Sequence, residues 1–211
     1  MEINKLVFCP IEVNTYILSD EEGKCAIIDC GCYDEGEFED LDYLIRRKKL
    51  EPVLLLNTHC HPDHIFGDKM LFEKYKLRAF CHNDEEMNRE NAKQYALFFG
   101  LTMEDPPEPA GHITDKQIVT FGNETLLALH VPGHAPGSLA FYSEKNKVVF
   151  TGDALFAGSV GRSDIPGGDH NTLIESIKSE LFTLPPDTVV YPGHGKTTTI
   201  EYEIRNNPYF S

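Results

Sequence analysis

An α/β fold, with two similar halves forming one layered domain over residues 1–211, is predicted by three observations. Strand-like alternation and helical periodicity succeed one another along the whole chain. The order of strands followed by βα units occurs twice. No short repeat marks a solenoid.

The elements follow from the patterning. INKLVF (3–8), VNTYILS (13–19) and KCAIID (24–29) alternate as strands, with a turn at EEG between the last two. FEDLDYLIRRKKL (38–50) has helical spacing, acidic early and basic late, which suits the helix dipole. PVLLLN (52–57) is short and almost wholly apolar, the mark of a buried strand. DKMLFEKY (68–75) reads as helix, LRAFCH (77–82) as strand, and 84–99 as a charged helix with an aromatic end. DPPEPAGH (105–112) reads as loop. From 117 the sheet returns in QIVTF, ETLLALHV, SLAFYS and KVVFTGD. A helix at about 171–182, the run VVYPGHG and a helix at about 199–206 complete the second half.

A chain of 211 residues, 41% hydrophobic and 25% charged, can bury a core without disulfide staples. The net charge of −15 is scattered and argues against a nucleic-acid partner, which needs a basic footprint. It leaves room for an anionic substrate, because bound cations reverse the local sign. No run is long enough for a membrane span, and MEINKLVFCP lacks a secretory pattern. A cytoplasmic location with no membrane partner is expected, and no oligomeric state is assigned. The six cysteines form no CxxC pair and are expected to be reduced, small and buried. Cys60, between His59 and His61, should point away from whatever those histidines face.

Ligand-type residues recur after strand-like runs. LLLNTHCHPDH carries His59, His61, Asp63 and His64; VPGH carries His134; TGD carries Asp153; YPGH carries His194. Loops at strand ends are where sites form, so these residues can meet if the ends share one edge. Five histidines and two aspartates exceed one tetrahedral zinc and suit two metals sharing a carboxylate. The assignment is His59, His61 and His134 to the first, Asp63, His64 and His194 to the second, and Asp153 to both. Nitrogen and oxygen donors without thiolate fit zinc, with iron or manganese as alternatives. His82, His112, His130 and His170 are read as ordinary core or surface histidines.

THCHPDH (58–64) resembles the HxHxDH motif of the metallo-β-lactamase-fold hydrolases, and VPGH, TGD and YPGHG follow in that superfamily's order. The resemblance covers nearly the whole chain. It implies a four-layer αββα sandwich with the metal site at one edge of two sheets, and the same seven ligands. It also implies that Asp29, in AIIDCG, supports the site from behind the ligands.

Within the superfamily, TGDALFAGSVGRSDIPGGD (151–169) is similar to glyoxalase II and its compact relatives. Asp153 argues against lactam hydrolysis, since the zinc β-lactamases characteristically lack that bridging aspartate. Arg162 stands where glyoxalase II carries a basic residue that holds glutathione, and a guanidinium suits a carboxylate clamp. An alternative for Arg162 is a structural pair with Asp164 or Asp169. Two departures bear on the thiol carrier. No C-terminal helical glutathione domain is expected before the end at Ser211, and the tyrosine that follows the basic residue is absent in RSDIP. Phe156, standing where the homoserine-lactone lactonases carry tyrosine, weighs against that activity. The expected reaction is hydrolysis of a small anionic thioester such as S-D-lactoylglutathione, with Asp63 and Asp153 as catalytic carboxylates. The resemblance also admits an iron-dependent persulfide dioxygenase, holding one iron through His59, His134 and Asp153. A metal-binding or scaffold domain of the same fold is the third reading.

Overall fold

VNTYILS is buried at every position, so its alternation separates two cores rather than core from solvent. Tyr16 and Leu18 point into one apolar cluster and Ile17 into another. The next strand does the same, with Ala26 and Ile28 on one side and Cys25 and Ile27 on the other. A strand with two apolar faces needs a layer on each.

The computed structural model describes residues 1–210. The first half runs β1 (Glu2–Phe8), β2 (Val13–Ser19), β3 (Lys24–Ile28), α1 (Glu35–Lys48), β4 (Glu51–Leu56), α2 (Pro62–Ile65), α3 (Asp68–Tyr75), β5 (Ala79–Cys81), α4 (Glu86–Phe98) and β6 (Gly111–His112). The second runs β7 (Ile118–Phe121), β8 (Glu124–His130), β9 (Leu139–Ser143), β10 (Val148–Gly152), β11 (Leu155–Phe156), β12 (Ser159–Val160), α5 (His170–Ser176), β13 (Val189–Pro192), β14 (Thr198–Thr199) and α6 (Ile200–Asn206). One six-stranded sheet has the order β1-β2-β3-β4-β5-β6 and the other β14-β13-β10-β9-β8-β7. In the first, β1 to β3 are antiparallel and β3 to β6 parallel; in the second, β7 to β10 are antiparallel, β13 joins β10 in parallel and β14 closes the edge antiparallel.

Three clusters define four layers. Tyr16, Ile28, Leu56, Phe141 and Phe150 belong to the core between the sheets. Ile17, Ile27 and Leu55 pack with Leu41, Ile45 and Leu71 of α1 and α3 on one outer face. Ala140, Val149 and Val190 pack with Leu173 of α5, and with Ile177, Leu181 and Ile200, on the other. The arrangement is the expected αββα sandwich.

Local differences from the patterning have local causes. The first helix starts at Glu35 rather than 38, because the Asp34 carboxylate accepts a hydrogen bond from the Glu37 amide and caps it. It ends at Lys48, with Lys49 left-handed. The proline-rich loop closes with β6, whose two residues pair with β5. Pro62 stands at the first position of α2 inside the histidine segment, where its missing N–H costs nothing. The helix from His170 widens into a π-helical turn at Ile177–Leu181.

The topology places the strand ends that matter. β8 and β10 both run antiparallel to β9, and β13 runs parallel to β10, so all three finish on the same side. Hydrogen bonds stitch the two sheets together there. The Asn14 amide donates to Gly193 O at 2.7 Å, the Tyr16 hydroxyl to Pro192 O at 2.6 Å, and the Leu139 amide to Thr58 O at 2.8 Å. All six cysteines are free and buried. Cys60 packs with Ile65, Cys81 and Ala92, away from the neighbouring histidine rings, as expected. No helix among the described residues is long and apolar enough to cross a membrane.

Candidate metal centre

Each of the seven ligand-type residues follows the end of a strand or lies in the short segment after it. His59, His61, Asp63 and His64 follow β4, His134 follows β8, Asp153 follows β10 and His194 follows β13. The edge-sharing topology brings them together. His61 Nδ1 lies 2.9 Å from His134 Nε2, which is itself 3.2 Å from His59 Nε2. His194 Nε2 lies 3.1 Å from Asp63 Oδ2, and His64 Nε2 3.6 Å from the same oxygen. Asp153 stands between the groups. Its Oδ1 is 3.3 Å from His64 Nε2, and its Oδ2 is 3.7 Å from both His134 Nε2 and His194 Nε2. His59, His61 and His134 form one cluster whose ligand atoms all lie within 4.8 Å; Asp63, His64 and His194 form another. These are the two sets read from the sequence, with the carboxylate of Asp153 shared.

The hydrogen bonds behind the rings fix which nitrogen faces inward. His64 Nδ1 lies 2.9 Å from Asp29 Oδ2, an acceptor, so it carries the proton. His134 Nδ1 donates to Arg162 O at 2.8 Å, and His194 Nδ1 to Ile11 O and Glu12 O at 3.1 Å. Thr58 Oγ1 donates to Asp29 Oδ2 at 2.7 Å, so its lone pair takes the His59 Nδ1 proton at 3.1 Å. In the neutral rings, four Nε2 lone pairs therefore face two carboxylates. Asp29 orients two of these rings, one directly and one through Thr58, while its other oxygen accepts from the Thr58 amide. It does so from a left-handed backbone, φ 55°, which aspartate tolerates better than most residues.

Such a set of lone pairs is mutually repulsive unless cations lie among them. His64 Nε2 and Asp153 Oδ1 are buried with no hydrogen-bond partner, a costly state that a shared cation would relieve. The electrostatics agree. Burial opposes charge on His64, yet Asp63, Asp153 and Asp29 outweigh it and raise its pKa well above the usual histidine value. Burial, then the neighbouring imidazoles, push His59 well below that value. Burial, then His134, bring His61 down to about 3. Burial would raise Asp153, but His64, His194 and His134 hold it below the usual carboxylate range. One side of the site prefers neutral imidazoles and the other draws positive charge. The donor set fits a pair of divalent cations.

The glycines of the turns make room. A Cβ on Gly193 would lie 2.2 Å from Asp153 Oδ1 and 2.8 Å from His64 Cε1. A Cβ on Gly161 would lie 1.9 Å from Asp153 O.

One of the most similar solved structures, a di-iron-bound form of TTHA1623, superposes with a TM-score of 0.89 at 38% identity, over 98% of this chain and 99% of that one. The metallo-beta-lactamase superfamily model matches residues 10–194, a span that includes all seven ligand-type residues. The chain belongs to the metallo-beta-lactamase superfamily. Among curated members it is 35% identical to hydroxyacylglutathione hydrolase GloC of Haemophilus influenzae, covering all of this chain and 99% of that protein. The BLEG-1 B3 metallo-beta-lactamase superposes with a TM-score of 0.90 at 31% identity over the full length of both chains. The superfamily and these relatives support a metal-dependent hydrolase.

Arg162 lines the cleft that opens over the centre, but its guanidinium is engaged. Nε and a terminal nitrogen donate to the two carboxylate oxygens of Asp164 at 2.9 and 3.1 Å. The Asp164 alternative is thus present, and Asp169 instead caps α5 through the Thr172 amide. His82 and His130 stack, rings 4.4 Å apart, and both engage backbone atoms, His82 accepting from the Asp84 amide and His130 donating to Pro136 O.

Two residues that organise the centre have no mark in the sequence pattern. Thr58 is one. Glu85 is the other: fully buried, it accepts from the Cys60 amide at 2.8 Å and the Gly137 amide at 2.7 Å. It thereby ties the loop of His59 and His61 to the loop of His134. It reads as one more acid at the start of a charged helix, and only the fold reveals its role.

Proposed function

We propose that this protein is a glyoxalase II-like thioesterase, a single-domain enzyme that hydrolyses hydroxyacyl thioesters such as S-D-lactoylglutathione with two divalent cations, zinc first among them. The observation that carries this reading is Asp153, whose two oxygens face the two donor sets at 3.3 and 3.7 Å. Beside His59, His134 and Asp153 stands a second complete donor set, Asp63, His64 and His194, which a single-iron dioxygenase would leave unused. The 35% identity to a hydroxyacylglutathione hydrolase over the full chain adds support for the bond cleaved. The six free, buried thiols suit a reducing cytoplasm.

His59, His61 and His134 would hold one cation, Asp63, His64 and His194 the other, and Asp153 both. The pair, when bound, supplies hydroxide at neutral pH and positive charge beside a developing oxyanion. The chain's own groups do the rest. Asp63 faces the cleft and orients the attacking water through its carboxylate. Asp29, Thr58 and the carbonyls of Arg162, Ile11 and Glu12 hold the imidazole tautomers, so no ring must turn during the reaction. A thiol with a pKa of roughly 8.5 leaves as thiolate, so the reaction asks for no general acid. An amide or lactam nitrogen would need one.

The test is elemental analysis of protein purified without added metal, joined to a thioester assay. Two cations per chain and hydrolysis of S-D-lactoylglutathione are expected. One iron per chain with thiol-dependent oxygen uptake would make it a dioxygenase; turnover of a lactam but no thioester would reassign the bond; neither metal nor turnover would leave a scaffold.

Arg162 supplies a second prediction. Its pair with Asp164 is exposed, and such pairs contribute little, so a substrate carboxylate can displace Asp164. Arg162→Ala is expected to raise KM for an anionic thioester by about three- to tenfold with kcat preserved. Unchanged KM would restrict the guanidinium to its intramolecular partner.

A further inference from the structure

The helix α4 presents two faces of different character. Asn88, Ala92 and Ala96, four residues apart, are buried against the body of the protein. Tyr95, Phe98 and Phe99, at the i, i+3, i+4 spacing, form another face. Phe98 is 80% exposed and Phe99 57%, although a phenylalanine gains by burial. These three rings line a cleft of about 560 Å³ that also contains His61, Asp63, His134, Asp153 and His194. Ile11, Ile165 and Pro166 line the same cleft. The metal centre therefore lies in a cavity walled by apolar side chains. Among the described residues, Arg162 is the sole lysine or arginine in that lining, and Asp164 already neutralises it.

We infer that this cleft selects thioesters with an apolar acyl group, a medium alkyl chain or an aryl ring, which packs on the Tyr95, Phe98 and Phe99 wall beside the metal centre. The inference rests on the thioesterase reading and moves its preferred acyl group from lactoyl to larger, apolar ones. A lactoyl group is too small and too polar to cover three aromatic rings. The common thiol carriers are polar, so the apolar surface falls to the acyl side of the scissile bond. Covering the wall removes apolar area from water on both partners, and each buried methylene contributes about a fourfold gain in affinity. The rings can accept chains of differing shape, since aromatic surfaces impose no directional bonding on an alkyl group. Selectivity should therefore rise with chain length rather than respond to one particular acyl group.

The experiment measures binding, independently of turnover. The metal-loaded protein is titrated calorimetrically with S-methyl-, S-butyl-, S-hexyl- and S-octylglutathione, thioethers that cannot be hydrolysed. From S-methyl to S-hexyl the Kd is expected to fall at least about a hundredfold, allowing for incomplete burial of each methylene. Phe98→Ala with Phe99→Ala should remove at least about tenfold of that gain and leave metal content unchanged. A Kd independent of chain length, or no binding of any member, overturns the inference. So does an unchanged chain-length dependence in the double variant. A homodimer that these substitutions dissociate, with no chain-length effect, would assign the aromatic face to a second copy of this chain. A steep binding series without hydrolysis of any thioester would retain the apolar wall and refute the thioesterase.

Discussion

Asp153→Ala is expected to remove at least one cation per chain and to lower kcat/KM for a thioester by upwards of about a thousandfold; partners behind the ligands already cost about 10–100-fold when removed. The reasoning begins with placement. Asp153 is the carboxylate that reaches both donor sets, with Oδ1 toward His64 and Oδ2 toward both His134 and His194. Removing it leaves Asp63 as the sole acidic ligand among five imidazoles, and the negative charge that offsets two dications falls by half. Four of the other donors, His59, His64, His134 and His194, stay anchored by bonds that do not involve Asp153, so the protein should keep its fold while losing the ion. Asp153→Asn separates charge from shape. It keeps an oxygen but offers one neutral donor in place of two anionic ones, and it should behave nearly as badly. Elemental analysis and thioester kinetics on both variants, with far-ultraviolet circular dichroism for the fold, check this. Full occupancy and unchanged turnover in Asp153→Ala would refute the bridging role.

The centre was legible because its chemistry is concentrated and its residues sit where strands stop. His59 to His64 are adjacent in sequence, and the three remaining ligands each follow a run that alternates or is wholly apolar. Strand ends on one edge were enough to bring them together. The four layers came from the resemblance, the patterning alone giving two similar α/β halves; in the structure Tyr16 and Ile17, like Ile27 and Ile28, lie on opposite faces of a strand and pack in different cores. The residues that escaped notice act through partners distant in sequence. Glu85 bonds to amides 25 and 52 positions away, and nothing about a glutamate among other acids signals that it will be buried. Thr58 matters through its oxygen's place between His59 and Asp29, a matter of side-chain geometry rather than pattern. The aromatic end of α4 was visible as composition, but its outlook onto the metal cleft depends on how the helix packs through Ala92 and Ala96. Arg162 was visible with both of its candidate roles, and the structure shows the pair with Asp164 while leaving the guanidinium at the cleft.

Gly193→Ala, the addition of one methyl group, is expected to cost the second cation and lower kcat/KM by about a hundredfold or more, comparable to losing a partner that orients a ligand. The methyl carbon would lie 2.2 Å from Asp153 Oδ1 and 2.8 Å from His64 Cε1, and neither atom can retreat cheaply. His64 is held by Asp29 at its far nitrogen, and Asp153 follows directly on the main chain of β10. The glycine itself is pinned on both sides, its amide donating to Gly152 O at 2.8 Å and its carbonyl accepting from the Asn14 amide at 2.7 Å. Displacement must therefore be taken up by the ligands. Gly195, two residues on, is the control. It has a left-handed φ of 76°, and a Cβ there would meet nothing within 4 Å. Gly195→Ala should cost about 1–2 kcal/mol of stability through backbone strain alone, with metal content and kinetics preserved. If the two variants lose metal equally, crowding of Asp153 and His64 is not what the glycine of this turn prevents, and the tight packing of the carboxylate against the turn has no part in holding the ions.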